Sequence, residues 1–308
     1  MEIALQFVLL ALGFVMLGKG ADWFVEGAAG IAMRFGIPQL VIGLTIVAMG
    51  TSAPEAAVSI AAAVKGNADI TIGNIVGSNI LNILIILGLA ASIVPIAVAR
   101  STVRIEIPFM IGVTALLFYQ GRDGSISLAD GGALMVAFAA YMMYLYTMAM
   151  KSNVDSDLEE PGLPLGRCLL GAVGGLALII AGSNVTVGAA TSIATYAGLS
   201  KRFIGLTIVA LGTSLPELFT SVAAACRGNA DIAIGNIVGS NIFNILFVVG
   251  LSALIIDIPF ASAFNFDTYV ALGAAVLLWL CVLRTQRLQR WAGALMLVCY
   301  AAYLGYIL

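Results

Sequence analysis

The sequence predicts an all-α, polytopic membrane protein with ten transmembrane helices arranged as two inverted five-helix repeats. Three observations lead to this fold. First, 61% of the 308 residues are apolar and only 10% are charged, and the mean hydropathy is +1.08, outside the range of soluble globular domains. Second, the apolar residues form continuous runs of membrane-spanning length. Third, one segment of 47 residues occurs twice.

Ten apolar runs predict the ten helices, because a helix needs about 20 residues to cross the hydrocarbon core of a bilayer. The runs are continuous rather than alternating, which favours helices over a β-barrel. The start, "MEIALQF", carries an acid instead of a basic region, and no small-residue cleavage site follows the first run, so we expect that run to be retained. The runs are centred near residues 10, 50, 83, 112, 138, 178, 214, 244, 275 and 300.

The basic residues between the runs predict the orientation of the helices. Gaps with odd numbers from the N-terminus contain nine Lys and Arg residues, and gaps with even numbers contain four. Because cytoplasmic loops are enriched in Lys and Arg, we expect the odd gaps in the cytoplasm and both ends of the sequence outside. The chain is accordingly expected to be a multi-pass protein of the cell (plasma or inner) membrane.

The duplicated segment predicts that the two halves run in opposite directions. Residues 42–88 and 204–250 are offset by 162 positions and are identical at 34 of 47 positions without a gap. Five predicted spans separate equivalent points, and an odd number of crossings inverts the second copy, as in many secondary transporters. We therefore divide the chain into an N-terminal repeat (1–150), a polar cytoplasmic linker (151–167) and a C-terminal repeat (168–308).

Each copy places a helix breaker beside an acid, in "GTSAPE" (50–55) and "GTSLPE" (212–217). Each proline removes a backbone N–H and should free carbonyls of the preceding turn, around Ala48–Thr51 in the first copy. Kinks and small-residue packing would explain the prolines, glycines and hydroxyl residues. They do not explain Glu55 and Glu217, because a carboxylate inside a membrane is costly and marks a functional site by default. The motifs therefore predict a cation site made of oxygen atoms.

The second part of each copy, "GSNILN" (77–82) and "GSNIFN" (239–244), supplies neutral oxygens. Its serine and second asparagine are four residues apart, so both face one side of a helix, and we expect that side to face the other repeat. These pairs are Ser78 with Asn82 and Ser240 with Asn244. The remaining asparagines are expected to satisfy backbone groups or pack between helices; they are Asn74, Asn79, Asn236 and Asn241. Asp69 and Asp231 are expected to be helix N-caps.

The composition narrows the ligand to hard cations. The two motifs contain two carboxylates and no basic residue, so one divalent or two monovalent cations would neutralise them. Oxygen ligands suit Ca²⁺ or Na⁺ and argue against Zn²⁺ or Cu⁺, and the chain has no histidine, which removes the commonest proton relay. We expect no cofactor. The four cysteines are expected to be small apolar fillers; they are Cys168, Cys226, Cys281 and Cys299.

Both motif pairs, in order and in opposite orientation, resemble those of the cation/calcium exchanger superfamily, and within it the sodium/calcium exchanger branch. The resemblance implies that broken second and seventh helices and facing third and eighth helices enclose the ions, while long first and sixth helices slide to alternate access. It implies shared Ca²⁺ and Na⁺ carboxylates at Glu55 and Glu217 and hydroxyl ligands of both ions at Thr51 and Thr213. It further implies carbonyl donors at Ala48 and Ala210 and Na⁺-site oxygens at Ser52, Ser78, Ser214, Ser240 and Asn82.

One position departs from part of that superfamily. Some microbial exchangers and the potassium-dependent branch carry aspartate where this chain has Asn244, which matches Asn82 of the first copy. We include Asn244 among the candidate ion ligands as a neutral oxygen. The missing carboxylate argues against potassium co-transport, and three Na⁺ for one Ca²⁺ is a stoichiometry that the resemblance implies.

The leading functional hypothesis is a monomeric Na⁺/Ca²⁺ antiporter that extrudes Ca²⁺, with the lipid bilayer as its surroundings and no nucleic-acid or protein partner. A Ca²⁺/H⁺ antiporter is the nearest alternative, and a potassium-dependent exchanger is a weaker one. A channel would need a continuous pore, which a single inverted pair does not suggest. An intramembrane enzyme lacks support, since without histidine a HExxH metalloprotease is impossible.

Overall fold

The computed structural model describes residues 2–66, 68–151, 164–198 and 210–307, and these are mostly helical. The helices of the first half are α1 (Glu2–Arg34), α2 (Gln39–Ile42), α3 (Ala48–Thr51), α4 (Ala53–Val64), α5 (Asp69–Leu81), α6 (Gly88–Ile93), α7 (Ile107–Gly121) and α8 (Leu128–Lys151). Those of the second half are α9 (Leu165–Tyr196), α10 (Ala210–Thr213), α11 (Leu215–Cys226), α12 (Ala230–Phe243), α13 (Gly250–Ile255), α14 (Ala263–Leu283) and α15 (Arg290–Ile307).

Short π-helical segments make several of these helices continuous. Gly43–Val47 joins α2 to α3, and Thr102–Glu106 leads into α7. Asn82–Leu87 joins α5 to α6, and Asn244–Val249 joins α12 to α13. The last two segments begin at equivalent positions of the duplicated sequence, so the duplication extends to the backbone. π-Helical turns are uncommon and often mark functional positions.

The membrane-spanning character expected from the sequence is confirmed. Within the described ranges, eight helices are long and apolar enough to cross a bilayer, and the pair Gln39–Thr51 and Ala53–Val64, bent by 51°, counts as a ninth. The run predicted near residue 214 corresponds to α10 and the shorter apolar helix α11. Residues 199–209 before it lie outside the described part, so the tenth span stays a prediction. Most of the predicted linker, residues 152–163, also lies outside it.

The centre of the bundle is formed by the two spans that carry the second part of each copy. In the most apolar stretch of Thr71–Ile93, 78% of the residues are buried, and in that of Ala230–Ile255, 83% are buried. In the first span the corresponding share is 17%. Both spans are apolar on all sides, which is typical of helices surrounded by other helices. The polar residues on them are consequently held inside protein rather than against lipid.

Helices α1 and α9 pack against each other along their length through glycines. Gly13 lies opposite Gly182, and Gly20 lies opposite Gly175, so the two helices are antiparallel. A Cβ atom added at Gly20 would be 2.9 Å from the Gly175 carbonyl oxygen. Small residues at such a seam let helix backbones approach closely in a membrane.

Four two-residue strands were not expected in an all-α fold. They are β1 (Ile96–Ala97), β2 (Ser125–Ile126), β3 (Ile258–Pro259) and β4 (Arg287–Leu288). β1 pairs antiparallel with β4, and β2 pairs antiparallel with β3. Because α7 lies between β1 and β2, the two ladders are at opposite ends of that helix. Each ladder connects the first half of the chain to the second.

The expected N-caps at Asp69 and Asp231 are wrong. Helix α5 begins at Asp69 itself and has Ala68 at the N-cap position, while α12 begins at Ala230 with Asn229 at that position. The N-cap position of α12 is thus two residues earlier than expected, and the Asn229 side chain makes no capping hydrogen bond there. Asp231 instead lies in the first helical turn, where a negative charge is favourable beside the positive end of the helix dipole.

Candidate functional site

Both "GTSxPE" motifs form helix breaks with the same geometry. Ser52 has φ −81° and ψ 6°, and Ser214 has φ −89° and ψ 4°, so each serine stands outside the α region between two helices. The proline and glutamate of each motif follow in the first turn of the next helix, with Glu55 in α4 and Glu217 in α11. Each carboxylate therefore lies near a helix N-terminus, which favours negative charge.

The two motifs meet through crossed hydrogen bonds. Ser52 Oγ donates to Glu217 Oε1 at 2.7 Å, and Ser214 Oγ donates to Glu55 Oε1 at 3.2 Å. Each glutamate is 1% exposed, and within the described part of the chain the second oxygen, Oε2, has no hydrogen-bond partner in either residue. A buried ionised carboxylate needs a compensating charge. The paired motifs thus leave two carboxylate oxygens available to a cation.

Two amide oxygens repeat this pattern on the central spans. Asn82 and Asn244 are 1% and 0% exposed, and Oδ1 of each has no hydrogen-bond partner among the residues that the structure describes. Together with the glutamates they give four buried, unpartnered oxygens at two pairs of equivalent positions. A mixture of carboxylate and amide oxygens is the ligand chemistry of Ca²⁺ and Na⁺, so the residues fit the ions expected from the sequence.

The Ala48 carbonyl is less free than the sequence suggested. It accepts the Ser52 backbone N–H at 3.0 Å, and the hydroxyls of Thr51 and Ser240 also donate to it, each at 3.3 Å. The carbonyl that loses its helical donor is that of Gly50, four residues before Pro54. The hydroxyls of Thr51, from the first half of the chain, and Ser240, from the second half, therefore both lie at the Ala48 carbonyl.

The other candidate ligands have different surroundings. Ser78 is 5% exposed and lies one turn before Asn82 on α5. Thr213 ends α10 and lines a cavity. Ala210 begins α10, and its side chain lies outside what the structure describes. Among the twelve candidates, hydrogen bonds link Ser52 to Glu217 and Ser214 to Glu55. Further hydrogen bonds link Thr51 and Ser240 to the Ala48 carbonyl.

Asn74 and Asn236 fix the broken helices to the central spans, as expected for packing asparagines. Asn74 Nδ2 donates to Ser59 Oγ at 2.9 Å and to the Glu55 carbonyl at 3.3 Å. Its equivalent, Asn236, donates to Ser221 Oγ at 2.9 Å and to the Glu217 carbonyl at 3.5 Å. Each asparagine therefore holds the turn that carries a glutamate.

A cavity reaches the second motif from one side. It has a volume of about 640 Å³, lies between α4, α9 and α10, and is lined in part by Pro54, Gly212 and Thr213. Ser183 of α9 also lines it and donates its hydroxyl to the Gly212 carbonyl at 2.7 Å, which is the carbonyl that Pro216 leaves without a helical donor. A second cavity of about 390 Å³ between α1 and α11 is lined by no residue of either motif.

One buried acid was missed. Glu106 is 1% exposed, accepts a hydrogen bond from Tyr144, and has no partner at Oε2. With Tyr141 and Phe109 it lines a separate cavity of about 160 Å³. The signal was an acid inside the apolar run "RIEIPF", which by the rule applied to Glu55 is a candidate functional residue. Glu106 lines neither of the two cavities described above.

Comparison with known proteins gives consistent matches. The family described as "Sodium/calcium exchanger protein" matches residues 5–147 and 168–308. Inner membrane protein YrbG of Escherichia coli is 40% identical over 80% of this chain and 79% of its own length. Sodium/calcium exchanger MaX1 of Methanosarcina acetivorans is 33% identical over 98% of each chain. The solved structure of the sodium-calcium exchanger NCX_Mj soaked with Na⁺ and Sr²⁺ has a TM-score of 0.86 at 33% identity and covers 98% of this chain and 99% of its own.

Proposed function

Because the chain belongs to the sodium/calcium exchanger protein family, we propose that it is a Na⁺/Ca²⁺ antiporter of the cell membrane that extrudes Ca²⁺ with the energy of the sodium gradient. The observation that carries the proposal is the set of four buried oxygens without hydrogen-bond partners, two from glutamates and two from asparagines. They come from both copies of the duplicated sequence, where a site between inverted repeats would lie.

Charge explains why one site would hold either ion but not both. Glu55 and Glu217 provide two negative charges, and one Ca²⁺ or two Na⁺ would neutralise them. Both ions prefer oxygen ligands, so they would compete for the same atoms. A site that must be refilled by one ion after it releases the other couples the two fluxes. The proposed ligands are Ala48, Thr51, Ser52, Glu55, Ser78, Asn82, Ala210, Thr213, Ser214, Glu217, Ser240 and Asn244.

The neutral oxygens favour Na⁺ over H⁺ as the coupling ion. A proton needs only a carboxylate oxygen, whereas Na⁺ needs a shell of several oxygens. The unpartnered oxygens of Asn82 and Asn244 would contribute to such a shell, because the segments Asn82–Leu87 and Asn244–Val249 contact the helices that carry Glu217 and Glu55. The similarity to MaX1, which is named a sodium/calcium exchanger, supports the same choice.

We further propose ten transmembrane helices in two inverted repeats, 1–150 and 168–308, joined by a cytoplasmic linker (151–167), in a monomer with both ends outside. The strand pairing supports the inversion. β1 and β3 are equivalent at the offset of 162 residues, yet β1 pairs with β4 and β3 pairs with β2, at opposite ends of α7. With odd gaps in the cytoplasm, the residues that line the 640 Å³ cavity lie in the outer half of the membrane, and we propose that ions enter from that side.

Proteoliposomes provide the test. Vesicles loaded with Na⁺ are diluted into sodium-free choline medium at equal pH, and ⁴⁵Ca²⁺ uptake is followed for the wild type and for Glu217→Gln. We expect uptake that requires internal Na⁺ and is lost in Glu217→Gln. Asp257→Asn is the control, because it neutralises an exposed acid outside the proposed site, and it should retain uptake. Uptake that ignores Na⁺ but follows a pH gradient would assign the protein to Ca²⁺/H⁺ exchange instead.

A further inference from the structure

Four asparagines form a closed network where α5 and α12 meet, next to the proposed ion site. Asn79 Nδ2 donates to the Asn241 carbonyl, and Asn241 Nδ2 donates to the Asn79 carbonyl, each at 3.2 Å. Asn82 Nδ2 donates to Asn241 Oδ1 at 2.9 Å, and Asn244 Nδ2 donates to Asn79 Oδ1 at 3.1 Å. None of the four residues is more than 3% exposed.

The network fixes which way each amide points. Asn79 and Asn241 both face a backbone carbonyl, which only accepts, so each must present its NH₂ group there. Their Oδ1 atoms are then the acceptors that face Asn244 and Asn82. Those two residues must in turn present NH₂ groups, which leaves their own Oδ1 atoms pointing away from the network. These are the unpartnered oxygens assigned above to the ion.

The same network excludes a carboxylate at the two ligand positions. An ionised aspartate at 244 has no N–H and would place an oxygen against Asn79 Oδ1, two acceptors face to face. Turning the Asn79 amide would not help, because its oxygen would then face the Asn241 carbonyl. By the equivalent contacts, Asn241 imposes the same restriction on position 82.

We propose that Asn79 and Asn241 are positioning residues that aim the oxygens of Asn244 and Asn82 at the ion and restrict both positions to neutral donors. The proposal rests on the function proposed above, since it assigns those oxygens to the transported ions. Neither Asn79 nor Asn241 touches the ion; each acts through a residue of the other repeat. Residues that orient metal ligands in this way usually change metal affinity when they are replaced.

A double-mutant cycle tests the action of Asn79 through Asn244. We expect Asn79→Ala to raise the half-saturating Na⁺ and Ca²⁺ concentrations about 10- to 100-fold, with a smaller change in maximal rate. The double variant Asn79→Ala/Asn244→Ala should be no worse than Asn244→Ala alone, because partners in one network are not additive.

Two controls accompany the cycle. Asn241→Ala should reproduce the effect of Asn79→Ala, because its contacts are equivalent. Thr114→Ala removes a buried hydroxyl that donates only to Met110 of its own helix at 2.9 Å, and it should leave the half-saturating concentrations unchanged. Additive effects for Asn79 with Asn244, or an unchanged ion dependence in Asn79→Ala, would overturn the proposal.

A second measurement needs no ion and so separates this proposal from the proposed function. In ion-free detergent solution we expect Asn244→Asp to lower the apparent unfolding temperature, and to lower it less when Asn79 is already alanine. Repulsion from the two glutamates is present in both backgrounds and cancels in the comparison. An equal drop in both backgrounds would overturn the proposal, even if the wild type transported no Ca²⁺.

Discussion

At the scale of single residues, the two glutamates are each held by the serine of the other motif. Sequence alone identified these four residues, because a carboxylate in an apolar segment is costly and here it occurs twice at one spacing. It did not reveal that the bonds cross between the motifs. Asn79 and Asn241 were expected to satisfy backbone groups or pack between helices, and their bonds to backbone carbonyls confirm this. Their bonds to Asn244 and Asn82 were not expected, because contacts between residues more than 150 positions apart leave no local pattern.

The crossed bonds predict unequal effects of two matched substitutions. Ser52→Ala removes the shorter bond, 2.7 Å to Glu217, whereas Ser214→Ala removes the longer one, 3.2 Å to Glu55. Hydrogen bonds to charged groups are worth about 1.5–3 kcal/mol, and shorter ones tend to be stronger. We expect Ser52→Ala to raise the half-saturating Ca²⁺ concentration about tenfold, and Ser214→Ala to raise it less.

Ca²⁺ uptake into sodium-loaded vesicles measures this pair. Ser92→Ala is the control, because Ser92 donates at 2.7 Å to Gly88 of its own helix and has no contact with either glutamate. Equal effects of Ser52→Ala and Ser214→Ala, or a change in Ser92→Ala as large as either, would contradict the prediction.

At the scale of helices, the bend of 51° between Gln39–Thr51 and Ala53–Val64 was predictable and the π-helical segments were not. Proline in a helix removes a backbone hydrogen bond and bends the helix, so the proline of "GTSAPE" predicts the bend. The π segments that start at Asn82 and Asn244 contain ordinary apolar residues. They begin where asparagines of the two central helices bond each other, which is a contact of the folded molecule.

Restoring the helix at the break should reduce transport. Pro54→Ala restores the N–H that can donate to the carbonyl four residues earlier, that of Gly50, so the helix can straighten and carry Glu55 away from its position. We expect the maximal exchange rate to fall about tenfold or more, because a shift near 1 Å in a working site is costly. Pro164→Ala, at the exposed N-cap of α9, is the control in the same vesicle assay and should transport normally.

The glycine seam between α1 and α9 gives a second prediction at this scale. Gly20→Ala would place a methyl group 2.9 Å from the Gly175 carbonyl oxygen, whereas Gly18→Ala, on the same helix, meets no atom within 4 Å. Overpacking of this kind costs about 1–3 kcal/mol. Gly20→Ala should therefore unfold at a lower temperature in detergent than Gly18→Ala. If the two variants unfolded at the same temperature, the seam would not be tightly packed.

At the scale of the molecule, two strand ladders tie the halves of the chain together at opposite ends of α7. Sequence could predict the inversion, because it follows from an offset of 162 residues and an odd number of spans. It could not predict the ladders, because two-residue strands are too short to show alternation. The resemblance implied that the third and eighth helices face each other, and the spans Thr71–Ile93 and Ala230–Ile255 are the most buried among the described spans.

Inversion predicts that equivalent residues are reached from opposite sides of the membrane. Asp123 and Thr285 are 162 positions apart, and both are exposed beside a strand. In a background without the four native cysteines, Asp123→Cys should react with a membrane-impermeant thiol reagent added outside intact cells. Thr285→Cys should react only after the membrane is opened. Labelling of both from the same side would rule out the inverted arrangement.

The amide network of Asn79, Asn82, Asn241 and Asn244 also affects how the membrane potential would act on the transport cycle. Because it keeps positions 82 and 244 neutral, the fixed charge among the four unpartnered oxygens comes from Glu55 and Glu217 alone. At the proposed site one bound Ca²⁺ would cancel that charge, so the electric field would do no net work on the Ca²⁺-loaded step. A third Na⁺ would leave one uncompensated charge, worth about 2.3 kcal/mol per 100 mV. The field would then act on the Na⁺-loaded step and change its equilibrium constant about 50-fold per 100 mV.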